Sequence, residues 1–489
     1  MCILKVMKKL LFCVVALLVL FSCDFFDFEN ELKGNFWAYD SGKDSYYRVD
    51  AELLYTGTRC TVWAEKGSVV TLSDAQEIAN AYDNDIYPKM IGAFGSQLIF
   101  SGLNFSDPME LADKLSYAHF QDGKLCILFL DIKDNYNPPS NPSFIAGYFD
   151  NINFLSRLQY ESNGRDMIYI DTYPGLTPSE SSSREYLLDE AKKTIAHEMQ
   201  HLMNFIFSVV YRSQTENEKL IVYAMDTWID EGLSSAAEYI YSGGHSESRI
   251  DWFNSNGWQG ESKINLGNNF FVWGNRDALL DDYATVYLFF QWLRLQTGST
   301  NIYKDIITSP NFDHLAVVNA INDYSDWETL LKTWLAANYI RSSTGQYGYK
   351  DDSELNAITT HYAPANPSIL LSPGEGVYSV TNSNGSTPAL GNKIRYAGLD
   401  RNAFQVSNSN VYANGVLLTY NVNTDNKGAQ ESGVTTGVTA SITSAKSGSA
   451  SRSVTAPLSR PIPIGAGDLL KRAEPFVFEF PINGNAADE

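Results

Sequence analysis

Residues 197–208 read His-Glu-Met-Gln-His-Leu-Met-Asn-Phe-Ile-Phe-Ser, and residues 228–235 read Trp-Ile-Asp-Glu-Gly-Leu-Ser-Ser. An HExxH on a helix sets two imidazoles, His197 and His201, one turn apart on one face. That spacing chelates a single zinc ion, and Glu198 between them sits where it can take a proton from bound water. The surroundings read as helix. Ser181, Ser182 and Ser183 offer N-caps with acidic Glu185 close behind. Leu188, Ala191, Ile195, Met199, Leu202 and Ile206 then recur at spacings of three and four, which predicts an amphipathic helix running to about Ser208.

The second stretch also predicts a helix. Asp226 or Thr227 is placed to cap it, and Ile229, Leu233, Ala236, Ala237 and Ile240 form its apolar side. Glu231, Ser235 and Glu238 share another face. Glu231 is the candidate third ligand, which would complete a three-ligand site with one open position. Glu238 is placed either to orient a ligand His from outside or to sit as an ordinary solvated charge.

HEMQHLMNF followed by WIDEGLSSAAEY resembles the gluzincin metallopeptidases, and most closely the hyicolysin-like family of bacterial zinc peptidases. Weaker similarities flank the pair: CTVWAEKG at 60–67, Asp83-Asn-Asp-Ile-Tyr-Pro and Phe94-Gly95, GYFDN at 147–151, Met167–Asp171, and the run from Asp281 to Phe290. The resemblance spans roughly residues 45–300. It implies one zinc ion held by His197, His201 and Glu231, with Glu198 as general base in peptide-bond hydrolysis. Gluzincins commonly carry Asn before the ligand Glu where this chain has Asp230, so Asp230 and Glu231 both stand as ligand candidates. An oxyanion donor is also implied, and the candidate is Tyr283 at the head of a helix-like run, 283–296, with Tyr287 as the fallback.

The N-terminus carries a second signal. Lys5, Lys8 and Lys9 precede an apolar run over 10–21 that is too short to span a bilayer comfortably. Leu20-Phe21-Ser22-Cys23 resembles a bacterial lipobox. The expectation is removal of residues 1–22, lipidation of Cys23 and anchoring in a bacterial membrane on its periplasmic or surface face. Of the remaining cysteines in the mature chain, Cys60 and Cys126, the sequence allows one disulfide or two buried thiols.

A net charge of −21 and the lack of a basic stripe argue against a nucleic-acid partner. The expected partners are a peptide or protein substrate, and the membrane through Cys23. The 44% apolar content is that of a globular protein.

The predicted organisation is α+β. After the signal, residues 23–44 read as a tether. An N-terminal α+β part (45–180) has strands near 46–55, 60–64, 125–132 and 167–171 and a helix near 73–82. A mostly helical part (181–362) holds the zinc site, interrupted by a Gly-, Asn- and Trp-containing loop from Trp252 to Trp273. A Ser-, Thr- and Asn-rich part (363–489) has short β-like runs that end near 476–481, and residues 428–453 are low-complexity. The alternative to a peptidase is a catalytically silent surface lipoprotein that uses this β part or the Trp-containing loop for adhesion or ligand binding.

Overall fold

A computed structural model describes residues 34–95, 123–138, 140, 143–154, 161–179, 182–216, 219–255, 262–267, 270–273, 279–363, 370–381, 385–386, 392–407, 411–412, 415–425, 431–432, 462–464 and 477–481. The signal segment, Cys23, Trp258 and the low-complexity stretch 428–453 apart from 431–432 lie outside them. Among the described residues no helix is long and apolar enough to cross a membrane. The architecture is α+β, in two compact units. One takes described residues from Met1–Asn84 and Phe100–Lys192, the other from Asp85–Ile99 and Lys193–Glu489.

The first unit is built on a mixed sheet. Its strands are β1 (Asn35–Asp40), β2 (Ser45–Thr56), β3 (Cys60–Glu65), β4 (Leu125–Leu130), β5 (Gly147–Phe149) and β6 (Met167–Asp171). They lie in the order β1-β2-β3-β4-β6-β5. The centre is parallel, with Cys60 opposite Leu125 and Cys126 opposite Met167. All six residues of LCILFL in β4 and all five of MIYID in β6 are buried. Unbroken apolar runs suit parallel strands covered on both faces. β1 instead alternates, burying Phe36 and Ala38 between half-buried neighbours, as an edge strand does. It begins inside the stretch read as a tether. The aromatic spotting of NFWAYD is the period-2 pattern of that strand. Cys60 and Cys126 are two buried thiols that form no disulfide, one position out of register on neighbouring strands, so their side chains point to opposite faces.

Helix α1 (Leu72–Ala81) packs on β2 and β3. Thr71 starts it with a reciprocal capping box: its hydroxyl accepts from the Asp74 backbone N–H, and the Asp74 carboxylate accepts from the Thr71 N–H at 2.8 Å. Asp74 also receives the Arg184 guanidinium at 2.6 Å. Burial opposes ionisation there, but Arg184 and the Thr71 donors outweigh it and hold the carboxyl below its ordinary range.

The second unit is largely helical. It contains α2 (Tyr87–Phe94), most of α3 (Arg184–Tyr211), α4 (Thr227–Ser242), α5 (Glu247–Ser255), α6 (Leu279–Thr297), α7 (Asn301–Ile307), α8 (His314–Ala320) and α9 (Trp327–Ile340). Every residue of α6 from Asp281 to Leu293 is buried, so it is the central post of the unit. α4 and α5 pack against it. Trp228 at the start of α4 sits edge-on to Phe270 and Phe271, 5.2 and 5.4 Å between ring centres. Phe270 in turn meets Phe289 and Trp334 at 4.6 and 4.9 Å. The loop expected from Trp252 begins later than the sequence implied. Trp252 lies on α5 and its indole N–H donates to Asp281 Oδ1 at 2.7 Å.

A four-stranded antiparallel sheet follows in the order β9-β12-β10-β11, from β9 (Gly376–Thr381), β10 (Ile394–Asp400), β11 (Gln405–Ser407) and β12 (Gly415–Asn421). It abuts α9. The Tyr378 hydroxyl donates to the Leu335 carbonyl at 2.6 Å, and a Cβ on Gly376 would come within 2.6 Å of Leu335 Cδ1. The run near 476–481 does not join this sheet. As β13 (Val477–Pro481) it pairs antiparallel with β8 (Lys219–Tyr223), the second strand of the hairpin that β7 (Ser213–Glu216) begins just after α3.

Candidate metal centre

α3 and α4 face each other across the site. On α3 the i, i+4 spacing brings the imidazoles of His197 and His201 edge to face, 4.9 Å between ring centres at 69°. Ser183 caps this helix, its hydroxyl accepting from the Tyr186 N–H at 3.2 Å. Asp226 occupies the N-cap position of α4 but makes no side-chain cap bond. α4 ends at Gly243, whose φ of 70° is the left-handed turn that favours glycine.

His197 Nε2 lies 3.3 Å from Glu231 Oε2, and His201 Nε2 lies 3.6 Å from the same oxygen. The ligand atoms of His197, His201 and Glu231 all fall within 4.8 Å of one another. All three residues are buried, and none of these three atoms satisfies hydrogen-bond geometry with any neighbour. Three converging buried donors without hydrogen bonds are what a metal ion would satisfy, and a pair of imidazoles with a carboxylate is a donor set that suits one. The residues present therefore fit a metal.

The outer ring nitrogens are tied down. His197 Nδ1 is 2.8 Å from Glu238 Oε1. His201 Nδ1 is 3.0 Å from Asp230 Oδ2 and 3.1 Å from Ser234 Oγ. A metal at the centre would take the Nε2 lone pairs while each Nδ1 donates outward. Asp230 is thus on the outer side of His201, while Glu231 joins the cluster. A second layer continues from Asp230. Asn204 Nδ2 donates to Asp230 Oδ1 at 2.5 Å, and Arg212 Nη2 donates to Asn204 Oδ1 at 3.1 Å and to Ser208 Oγ at 2.7 Å. Arg212 Nη1 donates to the Ile307 and Ser309 carbonyls. The sequence reading did not reach Asn204, Ser234 or Arg212. Asn204 alone had a local signal, three residues past His201 on the same helix.

The electrostatics of the site call for a cation. Burial would push His197 down, but the Glu231 and Glu238 carboxylates outweigh it and hold it up at about 9. His201 is likewise held well above its ordinary value against burial, by Asp230 and Glu231. Burial disfavours the charged Glu231, yet the two His carry it below the usual carboxylate range. Glu198 is pushed up to about 7 by burial, against the pull of His197 and His201. Its Oε2 is buried without a hydrogen bond. Four carboxylates around two imidazoles favour positive charge at the centre, which a metal would supply in place of protons.

The two tyrosine candidates are both fully buried on α6. Tyr283 lies edge-on to Trp273, 5.0 Å between ring centres, and the Arg249 guanidinium sits 4.4 Å above the Tyr283 ring. The Tyr287 hydroxyl accepts from the Ser246 N–H at 3.0 Å and contacts His245 Nδ1 at 2.7 Å. The other nitrogen of His245 meets Asp352 at 2.7 Å. Tyr287 is thereby committed to a structural chain.

Neutral metalloprotease ShpI of Staphylococcus hyicus is 27% identical to this chain over 342 residues, covering 68% of each protein. The chain is related to the bacterial metallopeptidases. This bears out the resemblance drawn from HEMQH and WIDEG. No family model matches the chain.

Proposed function

We propose that this metallopeptidase relative is a zinc-dependent endopeptidase acting on peptides or proteins. The single observation that carries the reading is the buried convergence of His197 Nε2, His201 Nε2 and Glu231 Oε2, within 4.8 Å and without hydrogen bonds, on an HExxH helix. A zinc ion held there supplies polarisation of the scissile carbonyl and a lowered pKa for the attacking water. The protein's own groups do the rest. Glu198 accepts the proton of the attacking water and passes it to the leaving amine. Glu238 and Asp230 hold the two imidazoles in the ligating tautomer. Tyr283 is the proposed donor to the carbonyl oxygen as negative charge develops on it.

The proposal extends to location. Export and anchoring through diacylated Cys23, after removal of residues 1–22, rest on the Lys5–Lys9 charges, the apolar run and the Leu20–Cys23 order. Mass spectrometry of the native N-terminus checks it, and a mature chain starting elsewhere refutes it.

Glu198→Gln tests the chemistry. Gln keeps the size but cannot take the proton, so turnover per bound metal is expected to fall on the order of 10²–10⁴-fold. Elemental analysis should still find one zinc per chain. Loss of metal with unchanged turnover per bound metal would give Glu198 a structural role instead. If fully loaded wild type cleaves nothing in a broad peptide library, the silent binding-protein reading takes over.

A further inference from the structure

Arg249 is a buried cation that the proposed mechanism does not use. It lies on α5 and is only 7% exposed. Its side chain forms no ion pair within 4.0 Å among the described residues, and its buried Nε has no hydrogen-bond partner. The other buried cations among the described residues have more partners. Arg212 shares the unmet Nε, but its Nη atoms donate to three carbonyls, an amide oxygen and a hydroxyl, and Lys192 meets Glu77 and Asp189 at 2.7 and 2.8 Å. Arg249 has instead the face of Tyr283 at 4.4 Å and the field of Glu238. A cation over an aromatic face gains some electrostatic attraction but does not replace the hydrogen bond that the buried Nε–H leaves unmet. Glu238 lies within the field of Arg249 but makes no ion pair with it inside 4.0 Å, and that carboxylate is bonded through Oε1 to His197 Nδ1 at 2.8 Å.

The position of this charge gives it a use. It acts on Glu238, which is bonded to His197 of the cluster, and the guanidinium lies over Tyr283, the proposed oxyanion donor. A planar fork of five N–H donors fits a carboxylate in two-point contact. A neutral carbonyl would satisfy one or two donors and leave the charge uncompensated. A carboxylate satisfies both needs, and in a chain with a net charge of −21 a buried cation with no ion pair among the described residues stands out.

We propose that Arg249 anchors a carboxylate of the bound peptide, either its free C-terminus or an acidic side chain near the cleaved bond. The anchor rests on the peptidase reading for its meaning, but binding can be measured without turnover.

The probes are octapeptides with a free or amidated C-terminus, and amidated octapeptides in which Glu or Gln occupies each position in turn. Binding is read by calorimetry on zinc-loaded Glu198→Gln protein, and kcat/KM on zinc-loaded wild type. One of the two pairs, free against amidated or Glu against Gln, should differ by about tenfold or more in favour of the carboxylate, the size of a charge-assisted two-point contact. The pair that differs names the source of the carboxylate. In Arg249→Gln that ratio should collapse to about one. Arg249→Lys keeps the charge but loses the fork, and should retain a reduced preference. The Lys variant also keeps the idea testable if the Gln variant fails to fold. Equal affinity for every pair in the wild-type Arg249 background, or an undiminished ratio in Arg249→Gln, overturns the anchor. Carboxylate-selective binding that Arg249→Gln abolishes, with no cleavage by wild type, keeps the anchor and removes the peptidase reading.

Discussion

Asp230 and Glu231 adjoin in sequence yet serve opposite sides of one imidazole, because each residue along a helix turns the side chain by about 100°. Glu231 Oε2 reaches both Nε2 atoms, while Asp230 reaches only His201 Nδ1. Glu231→Ala is therefore expected to abolish stoichiometric metal in elemental analysis. Asp230→Ala should still load, with affinity weakened about 10–100-fold in competition with a chelator. The reverse order of effects would mean that the ligand is Asp230. His197, Glu198 and His201 were legible in sequence because their relation is local, one turn of one helix. The choice between Asp230 and Glu231 was not, since it depends on the rotation of α4 about its axis. That rotation is set by Trp228 and Gly232 meeting distant aromatic residues. Arg249 was not legible at all, because an isolated Arg in text carries no mark of lacking a partner.

At the scale of elements, the seam between α4 and α6 fixes the site. A Cβ on Gly232, beside Glu231, would lie 2.2 Å from Phe290 Cε2. Two effects compete in Gly232→Ala. Alanine gains up to about 1 kcal/mol in helix propensity. Overpacking a filled core costs about 1–3 kcal/mol, and Phe290 is wholly buried. The clash should win, lowering the thermal midpoint and also the metal affinity as α4 is pushed off α6. A raised midpoint would show that Phe290 can move. The start of the same helix is pH-sensitive. Burial, then the nearby Asp313, push Asp226 up to about 7. The folded state thus holds a proton that the unfolded state releases near its ordinary value of 3.8. This contribution to stability is full below about pH 4 and is lost as pH rises to about 7. Denaturation of the chelator-treated protein at pH 5 and pH 7.5 should show a fall in stability that shrinks in Asp226→Asn. An unchanged fall in that variant would remove Asp226 as its source. The helices bearing the site, and β3, β4 and β6, were readable within a residue or two at most ends. Apolar runs and 3.6-residue periods dominate there. β1 and α5 were missed because short, aromatic-spotted segments resemble loops until a partner is known.

For the whole molecule, the sequence conveyed an α+β protein with a helical metal part and a later β-rich part, and the structure has both. It did not convey where the last strand goes, because strand pairing between distant segments leaves no periodic trace. β13 adds to the β7–β8 hairpin of the helical part, with Phe478 opposite Val222 and Phe480 opposite Leu220. This pairs a distant stretch of chain with the hairpin that directly follows the helix of His197 and His201. The hairpin starts at Ser213, directly after Arg212, and the Tyr223 N–H closes back on the Arg212 carbonyl at 2.9 Å. Arg212 in turn holds Asn204, which holds Asp230 against His201. A chain ending at Pro475 would lack β13 and leave β8 as an open edge with unmet backbone donors and acceptors. Limited proteolysis should then cut within 213–223 faster than in the full chain. Metal affinity should fall as well, though by less than in Glu231→Ala, because the ligands remain and only the support of one imidazole loosens. Proteolysis and chelator competition on the two chains measure both effects. Equal cleavage rates and equal affinity would mean that β7 and β8 hold Arg212 in place unaided, and that β13 contributes nothing to the centre.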